Sequence, residues 1–314
     1  MTLHPDIGAF LDLAEEAPGQ QAPLHTLAPA QARALFEQTS RQLAWAAPAI
    51  EPVHLEVTRP DGTPLPLRLY RSSRTAPTAV ILFFHGGGYV VGSLDSHQGI
   101  CQELCQRSGF AVLSVGYRLA PEHRFPQPLE DAQQALRWLG SDGPALGLDT
   151  TRVAFAGDSV GASLATVLAQ EAGQPGFTGV RPRLQLLCYP MTDASERHAS
   201  RELFAEGYLL EDLTLEWFYD CHARHPQDRA DPRFSPLLGE GLEHSAPAWI
   251  ALAGFDPLFD EGLAYAEKLR RAGVQVELVE YAGLTHDFLR MSTVVPAALE
   301  VYDEMVDALK RHLQ

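Results

Sequence analysis

Gly157-Asp158-Ser159-Val160-Gly161 constrains this chain more than any other stretch. A short apolar run, Arg152 to Ala156, precedes it, and Ala162 to Ala169 follows as an apolar stretch of helical type. A serine in that pattern, between a strand and a helix, occupies a tight, strained turn that lifts its hydroxyl above the sheet edge. The flanking glycines let the backbone turn without Cβ clashes. Five residues with three fixed positions also occur in ordinary turns, so the rest of the chain decides.

The 314 residues suffice for one large α/β domain with an appended lid. A 46% hydrophobic and 20% charged composition is that of a soluble globular protein. The net charge is −16, and only Lys268 and Lys310 are lysines. An acidic chain without a basic cluster argues against nucleic acid and anionic membranes as partners. The N-terminus carries Asp6, Asp12, Glu15 and Glu16 where a signal peptide would be basic and then apolar. No run approaches the 18 apolar residues of a membrane span, and a cytoplasmic location is expected. Cys101 and Cys105 lie one helical turn apart, which suits neither a zinc knuckle nor a redox pair. All four cysteines, with Cys188 and Cys221, are expected to be reduced, Cys188 in the core.

Residues 1–50 read as helical. Ile7, Phe10, Leu11 and Leu13 are assigned to one face, as are Leu35, Phe36 and Leu43, with Pro18, Pro23 and Pro29 as breaks. The segment is either part of a lid or a helical decoration. Val53–Val57 and Leu65–Tyr70 form a hairpin across Arg59-Pro60-Asp61-Gly62. Ala79–Phe84 is a continuous apolar run, as in a parallel strand buried on both faces. A helix from Asp95 through Arg107, a strand Phe110–Val115 and a helix Leu129–Leu139 lead to the serine turn. Beyond it come a strand Leu184–Tyr189 and a mostly helical, aromatic insertion over 191–240. A strand Ala248–Ala253, a helix Leu258–Arg271, a strand Val274–Tyr281 and a helix Pro296–Leu313 complete the chain. This alternation specifies the α/β class, a mostly parallel central sheet wrapped by helices.

A serine hydroxyl needs a base, and the base needs a carboxylate to fix its tautomer. In the elbow arrangement these follow the serine as acid, then histidine, at strand ends. Asp256 directly follows a strand; Asp260 and Glu261 are rivals, placed where carboxylates merely complement a helix dipole. Of twelve histidines only His286 follows both serine and acid and stands at a strand end. An oxyanion needs backbone donors. His85-Gly86-Gly87-Gly88 ends the third strand, where the elbow arrangement places them, and no Gly-Lys-Ser/Thr follows that would make it a phosphate loop. The Val160 amide completes the set, and His85 is read as structural.

With these residues in place, the chain resembles the hormone-sensitive lipase family of α/β-hydrolases, the bacterial family IV esterases. The matches are His85-Gly86-Gly87-Gly88, Tyr117-Arg118-Leu119-Ala120-Pro121-Glu122, the Ser159 pentapeptide, Asp256-Pro257-Leu258 with Asp260-Glu261-Gly262, Gly207-Tyr208 and Ser235-Pro236-Leu237. They run from about residue 80 to 290. The resemblance implies an α/β-hydrolase catalytic domain over 51–314, with a helical cap built from 1–50 and the 191–240 insertion. It implies oxyanion amides from Gly87 and Gly88 with Gly86 adjacent, and neither cofactor nor metal. Val160 departs from the small residue usual after the nucleophile, and Asp287 stands where the family usually has glycine after the base. A carboxylate there raises the pKa of the base if it points toward it.

The expected reaction is hydrolysis of short-to-medium-chain carboxylic esters through an acyl-enzyme on Ser159, with His286 as base and Asp256 orienting it. Tyr89, Phe204, Tyr208, Leu209, Leu258 and Phe288 are candidates for the substrate pocket, each also an ordinary core or cap residue by composition. Two rival readings stand beside this one. One is an amide or lactone hydrolase using the same residues; the other is a non-catalytic small-molecule receptor, against which the presence of His286 counts. The last strand, at a sheet edge, is a candidate for homodimer pairing.

Overall fold

The computed structural model describes residues 2–16, 22–72 and 77–314; the expected break at Pro18 lies outside them. Helices α1 (Pro5–Glu16) and α2 (Pro29–Gln42) precede the hairpin β1 (Val53–Thr58) and β2 (Pro64–Tyr70). There follow β3 (Thr78–Phe84), α3 (Gln98–Ser108), β4 (Ala111–Val115), α4 (Gln127–Ser141), β5 (Leu148–Asp158) and α5 (Val160–Gly173). After β6 (Leu184–Cys188), α6 (Ala199–Leu203) and α7 (Asp212–His222) belong to the insertion. The chain returns as β7 (Ala248–Phe255), α8 (Phe259–Arg271), β8 (Val276–Thr285) and α9 (Ala298–Leu313).

Among the described residues eight strands form one sheet, in the order β1-β2-β4-β3-β5-β6-β7-β8. The first two are antiparallel and the remaining six pair in parallel. This is the mostly parallel sheet of an α/β-hydrolase fold. The apolar run of β3 shows why it forms. Val80, Leu82 and Phe84 pack in one core with α4, α5 and α8, while Ile81 and Phe83 pack in a second core with α3 and α9. Alternate side chains leave a strand on opposite sides, so a strand covered on both faces must be apolar throughout. Each such buried leucine, isoleucine or phenylalanine contributes roughly 1.5–3 kcal/mol.

Some boundaries differ from expectation. Helix α3 starts at Gln98, because Asp95 turns away to pair with Arg68 and no side chain caps the helix. Strand β8 runs on to Thr285, still paired with Phe255 of β7 after a register shift. Leu13 is 68% exposed while Ile7 is fully buried, since position 13 falls off the face shared by 7, 10 and 11. The cysteines are all free thiols, three of them buried. No helix of the described residues is long and apolar enough to cross a membrane.

Candidate active site

The serine turn forms where β5 hands over to α5. Ser159 has φ 53° and ψ −123°, a conformation that few side-chain-bearing residues tolerate. It is held by close backbone crossings on both sides: a Cβ at Gly157 would strike the Gly161 backbone, and one at Gly161 would strike the Phe84 carbonyl. His286 directly follows β8 and Asp256 directly follows β7, so parallel neighbouring strands deliver both to the same sheet edge as Ser159. His286 Nε2 lies 3.0 Å from Ser159 Oγ, and its Nδ1 lies 2.7 Å from Asp256 Oδ2. The other Asp256 oxygen accepts the Leu258 amide at 2.9 Å, which fixes the carboxylate plane. The two rival acids sit elsewhere. Asp260 accepts the Ser200 amide at 2.8 Å, and buried Glu261 accepts the amides of Thr192 and Asp193 at 2.6 and 3.1 Å. Both anchor the start of the insertion rather than the base.

The charges around His286 are arranged for its cationic form. Burial alone would lower its pKa, but Asp256 with its hydrogen bond, then Asp287 and Asp158, outweigh that and move it upward. Asp287 adopts φ 67° and binds Arg290 Nη1 at 2.7 Å. A third of its side chain is exposed where it borders the cavity described below; burial of the rest raises the Asp287 pKa against the opposing pull of Arg290. Asp158, inside the serine turn, is fully buried. Burial would raise its pKa, yet His97 (Nε2 at 3.3 Å), His85 and Arg290 hold it below the usual carboxylate value.

Asp158 also bears on the glycine loop. Its Oδ1 accepts the Gly86 amide at 3.0 Å, so that amide is engaged and unavailable to an oxyanion. The amides of Gly87 and Gly88 meet no acceptor among the described residues, and both glycines border the cavity. The Val160 amide opens α5, where the first helical amides are unpaired and the dipole favours negative charge. His85 packs 4.3 Å from the Tyr117 ring, and its Nδ1 lies 2.8 Å from Gly86 O. The Tyr117 hydroxyl donates to the His85 carbonyl at 2.6 Å. Burial pushes the His85 pKa down to about 3, so it stays neutral and braces the loop.

A cavity of about 200 Å³ lies over Ser159 and His286. Leu209 and Leu258 line it, as do Val160, Met191, Phe218 and Tyr219. Phe10, Leu24, Phe36 and Leu43 reach it from the N-terminal segment. The other four pocket candidates are placed elsewhere. Tyr89 stacks on His222 at 3.9 Å; Phe204 and Tyr208 pack on Phe255 at 5.5 and 5.4 Å; Phe288 is fully buried against Tyr189 and Tyr281. These aromatics hold the insertion and the loops in place instead of touching the cavity. Sequence reasoning missed His97, Phe218, Tyr219 and Arg290 as neighbours of the site. Phe218 and Tyr219 were visible only as aromatics of the insertion, and nothing in a linear pattern aims them at Ser159.

A serine, a histidine and an aspartate linked in that order at the carboxyl ends of parallel strands of one sheet define a hydrolase of the α/β-hydrolase class. A family model described as the alpha/beta hydrolase fold matches residues 81–290, and the chain belongs to that family. It is 48% identical over 320 residues to an ethyl acetate hydrolase of Pseudomonas putida, covering all of both chains. It is 42% identical to the carboxylic ester hydrolase LipN of Mycobacterium tuberculosis, over 83% of this chain and 72% of LipN. Among solved structures, an ester hydrolase from the Lake Arreo metagenome, bound to a bipyridine phosphonate derivative, superposes with a TM-score of 0.94 at 35% identity over 99% of each chain.

Proposed function

We propose that Ser159 attacks the carbonyl of a short-to-medium-chain carboxylic ester and carries the acyl group as a covalent intermediate. The chain is a carboxylic ester hydrolase, the class its full-length relatives share. The observation that carries the mechanism is the hydrogen-bonded series from Asp256 through His286 to Ser159, at 2.7 and 3.0 Å. His286 takes the serine proton as Oγ attacks. Asp256 keeps the Nδ1 proton in place and stabilises the imidazolium, with Asp287 and Asp158 adding to that stabilisation. The amides of Gly87, Gly88 and Val160 receive the oxyanion, each worth about 3 kcal/mol of barrier. His286 then protonates the leaving alcohol and activates the water that releases the acid.

Residues 1–50 and 191–240 act as a cap over the catalytic domain of 51–314, since both segments contribute to the cavity wall. The volume of about 200 Å³ supports small acyl groups. The seated histidine weighs against a receptor role, and amide or lactone hydrolysis is separated by matched ester and amide substrates. Homodimer pairing through β8, an edge strand, is read out by sedimentation at micromolar concentration. The first test is hydrolysis of p-nitrophenyl esters from acetate to palmitate by wild type and Ser159→Ala. Rates that fall with chain length, and a loss of about six orders of magnitude in kcat in the variant, are expected. Near-normal turnover by Ser159→Ala would overturn the mechanism, and faster hydrolysis of long chains would overturn the size assignment.

A further inference from the structure

Arg290 is buried, carries a fixed positive charge and takes no part in the chemistry above, yet it borders the catalytic cavity. It sits on the short turn Phe288–Arg290 that begins one residue after Asp287. Three partners hold its guanidinium. Nη1 donates to Asp287, the neighbour of the base, at 2.7 Å. Nη2 donates to the Ser40 hydroxyl of α2. The guanidinium carbon, Cζ, lies over the Phe36 ring, also on α2, 4.3 Å from its centroid. The same loop reaches the end of α2 through Thr293, whose hydroxyl donates at 2.8 Å to the carbonyl of Leu43, the residue that follows the helix.

Helix α2 also reaches the other side of the site. Glu37 accepts the Ser93 hydroxyl at 2.6 Å, and Ser93 Oγ accepts the Ser96 amide at 3.1 Å. Ser96 Oγ pairs with His97 Nδ1 at 2.9 Å, and His97 holds the Asp158 carboxylate that fixes the Gly86 amide. Positions 36, 37 and 40 share one side of α2. A helix remote in sequence is thereby tied both to the base loop and to the glycine loop.

We propose that Arg290 is a positioning residue that latches helix α2 onto the His286 loop, so that the base is aligned with Ser159 only while α2 is seated. A forked, planar cation suits this task. It bonds a carboxylate and a hydroxyl in its own plane while its face rests on a ring. Misplacing a catalytic group by about 1 Å costs on the order of a hundredfold in rate. Losing the latch therefore acts on kcat more than on KM. The inference rests on His286 being the base.

The test compares Arg290→Met, Arg290→Lys, Ser40→Ala and the Arg290→Met/Ser40→Ala double variant in the full chain on p-nitrophenyl acetate. Rates are expressed per active site titrated with a phosphonate ester, so that unfolded protein does not enter. The expected result for Arg290→Met is a kcat lower by about tenfold to a hundredfold, with KM within about twofold of wild type. Arg290→Lys, which keeps the charge but not the fork, recovers part of the loss. Ser40→Ala lowers kcat by a smaller factor, and the double variant is no slower than Arg290→Met alone, because both act through one contact. Three results would overturn the proposal: a wild-type kcat in Arg290→Met, a raised KM at unchanged kcat, or effects of the two sites that multiply. If Arg290→Met does not fold, Ser40→Ala decides, and a wild-type kcat there overturns the latch. Activity in Ser159→Ala would remove the underlying function. An inactive Ser159→Ala beside fully active Arg290 and Ser40 variants would remove only this inference.

Discussion

Replacing Asp256 by asparagine changes one atom and asks whether the carboxylate sets the proton on the base. In the structure Oδ1 accepts the Leu258 amide at 2.9 Å and Oδ2 faces His286 Nδ1 at 2.7 Å. Asparagine must keep its oxygen on Leu258, because its NH₂ donates only and cannot accept that N–H. Its NH₂ then faces His286 Nδ1, which becomes an acceptor, and the imidazole proton moves to Nε2. That nitrogen lies 3.0 Å from Ser159 Oγ and can no longer take the serine proton. The shape of the site is kept and the tautomer is wrong, a change that costs about four orders of magnitude in a serine triad, or about 5.5 kcal/mol of barrier. The assay is kcat on p-nitrophenyl butyrate, with folding checked by thermal unfolding. Asp260→Asn is the control, since Asp260 binds the insertion and not the base; its kcat is expected to stay within a few-fold of wild type. An Asp256→Asn enzyme within tenfold of wild type would refute the reasoning, and a larger loss in Asp260→Asn would hand the role to the rival acid.

Asp287→Asn tests the electrostatics of the base. His286 must be neutral to accept a proton, so activity is lost as pH falls through its raised pKa. Removing the Asp287 charge lowers that pKa, and the acid limb of the kcat/KM profile is expected to move to lower pH; asparagine tolerates the φ of 67°. An unmoved or alkaline-shifted limb counts against the assignment. Gly161→Ala tests the serine turn: its Cβ meets the Phe84 carbonyl, a backbone atom that cannot swing away, and stability is expected to fall by roughly 1–3 kcal/mol. An unchanged denaturant midpoint would mean that α5 shifts freely.

Much of this was legible in the chain because it depends on local rules. The β3 run is apolar at every position since helices cover both faces of the sheet, and that state leaves a continuous signature. Ser159, Asp256 and His286 each follow a strand in a parallel sheet, so strand ends alone bring them to one edge. Chain order and element type alone point to Asp256 and His286, the two residues that the structure links to Ser159 by hydrogen bonds. The Gly86 amide was harder, because its acceptor is Asp158, 72 residues away.

The pocket shows the boundary between the two kinds of knowledge. Leu209 and Leu258 reach the cavity while Phe204 and Tyr208 pack on Phe255, although all four read alike as apolar residues near the site. Which side of a short helix or loop faces the substrate depends on how the insertion settles on the sheet, and no periodicity within the insertion encodes that. The same holds for Arg290 and Ser40, 250 residues apart in sequence and joined only because α2 folds back over the His286 loop. The sequence by itself determined the sheet, the placing of Ser159, Asp256 and His286 at strand ends and the reaction class, because backbone periodicity and strand-end chemistry are local. Only the tertiary structure decided the cavity wall, the occupied Gly86 amide and the Arg290 contacts, because side chains distant in sequence meet only when separate elements pack.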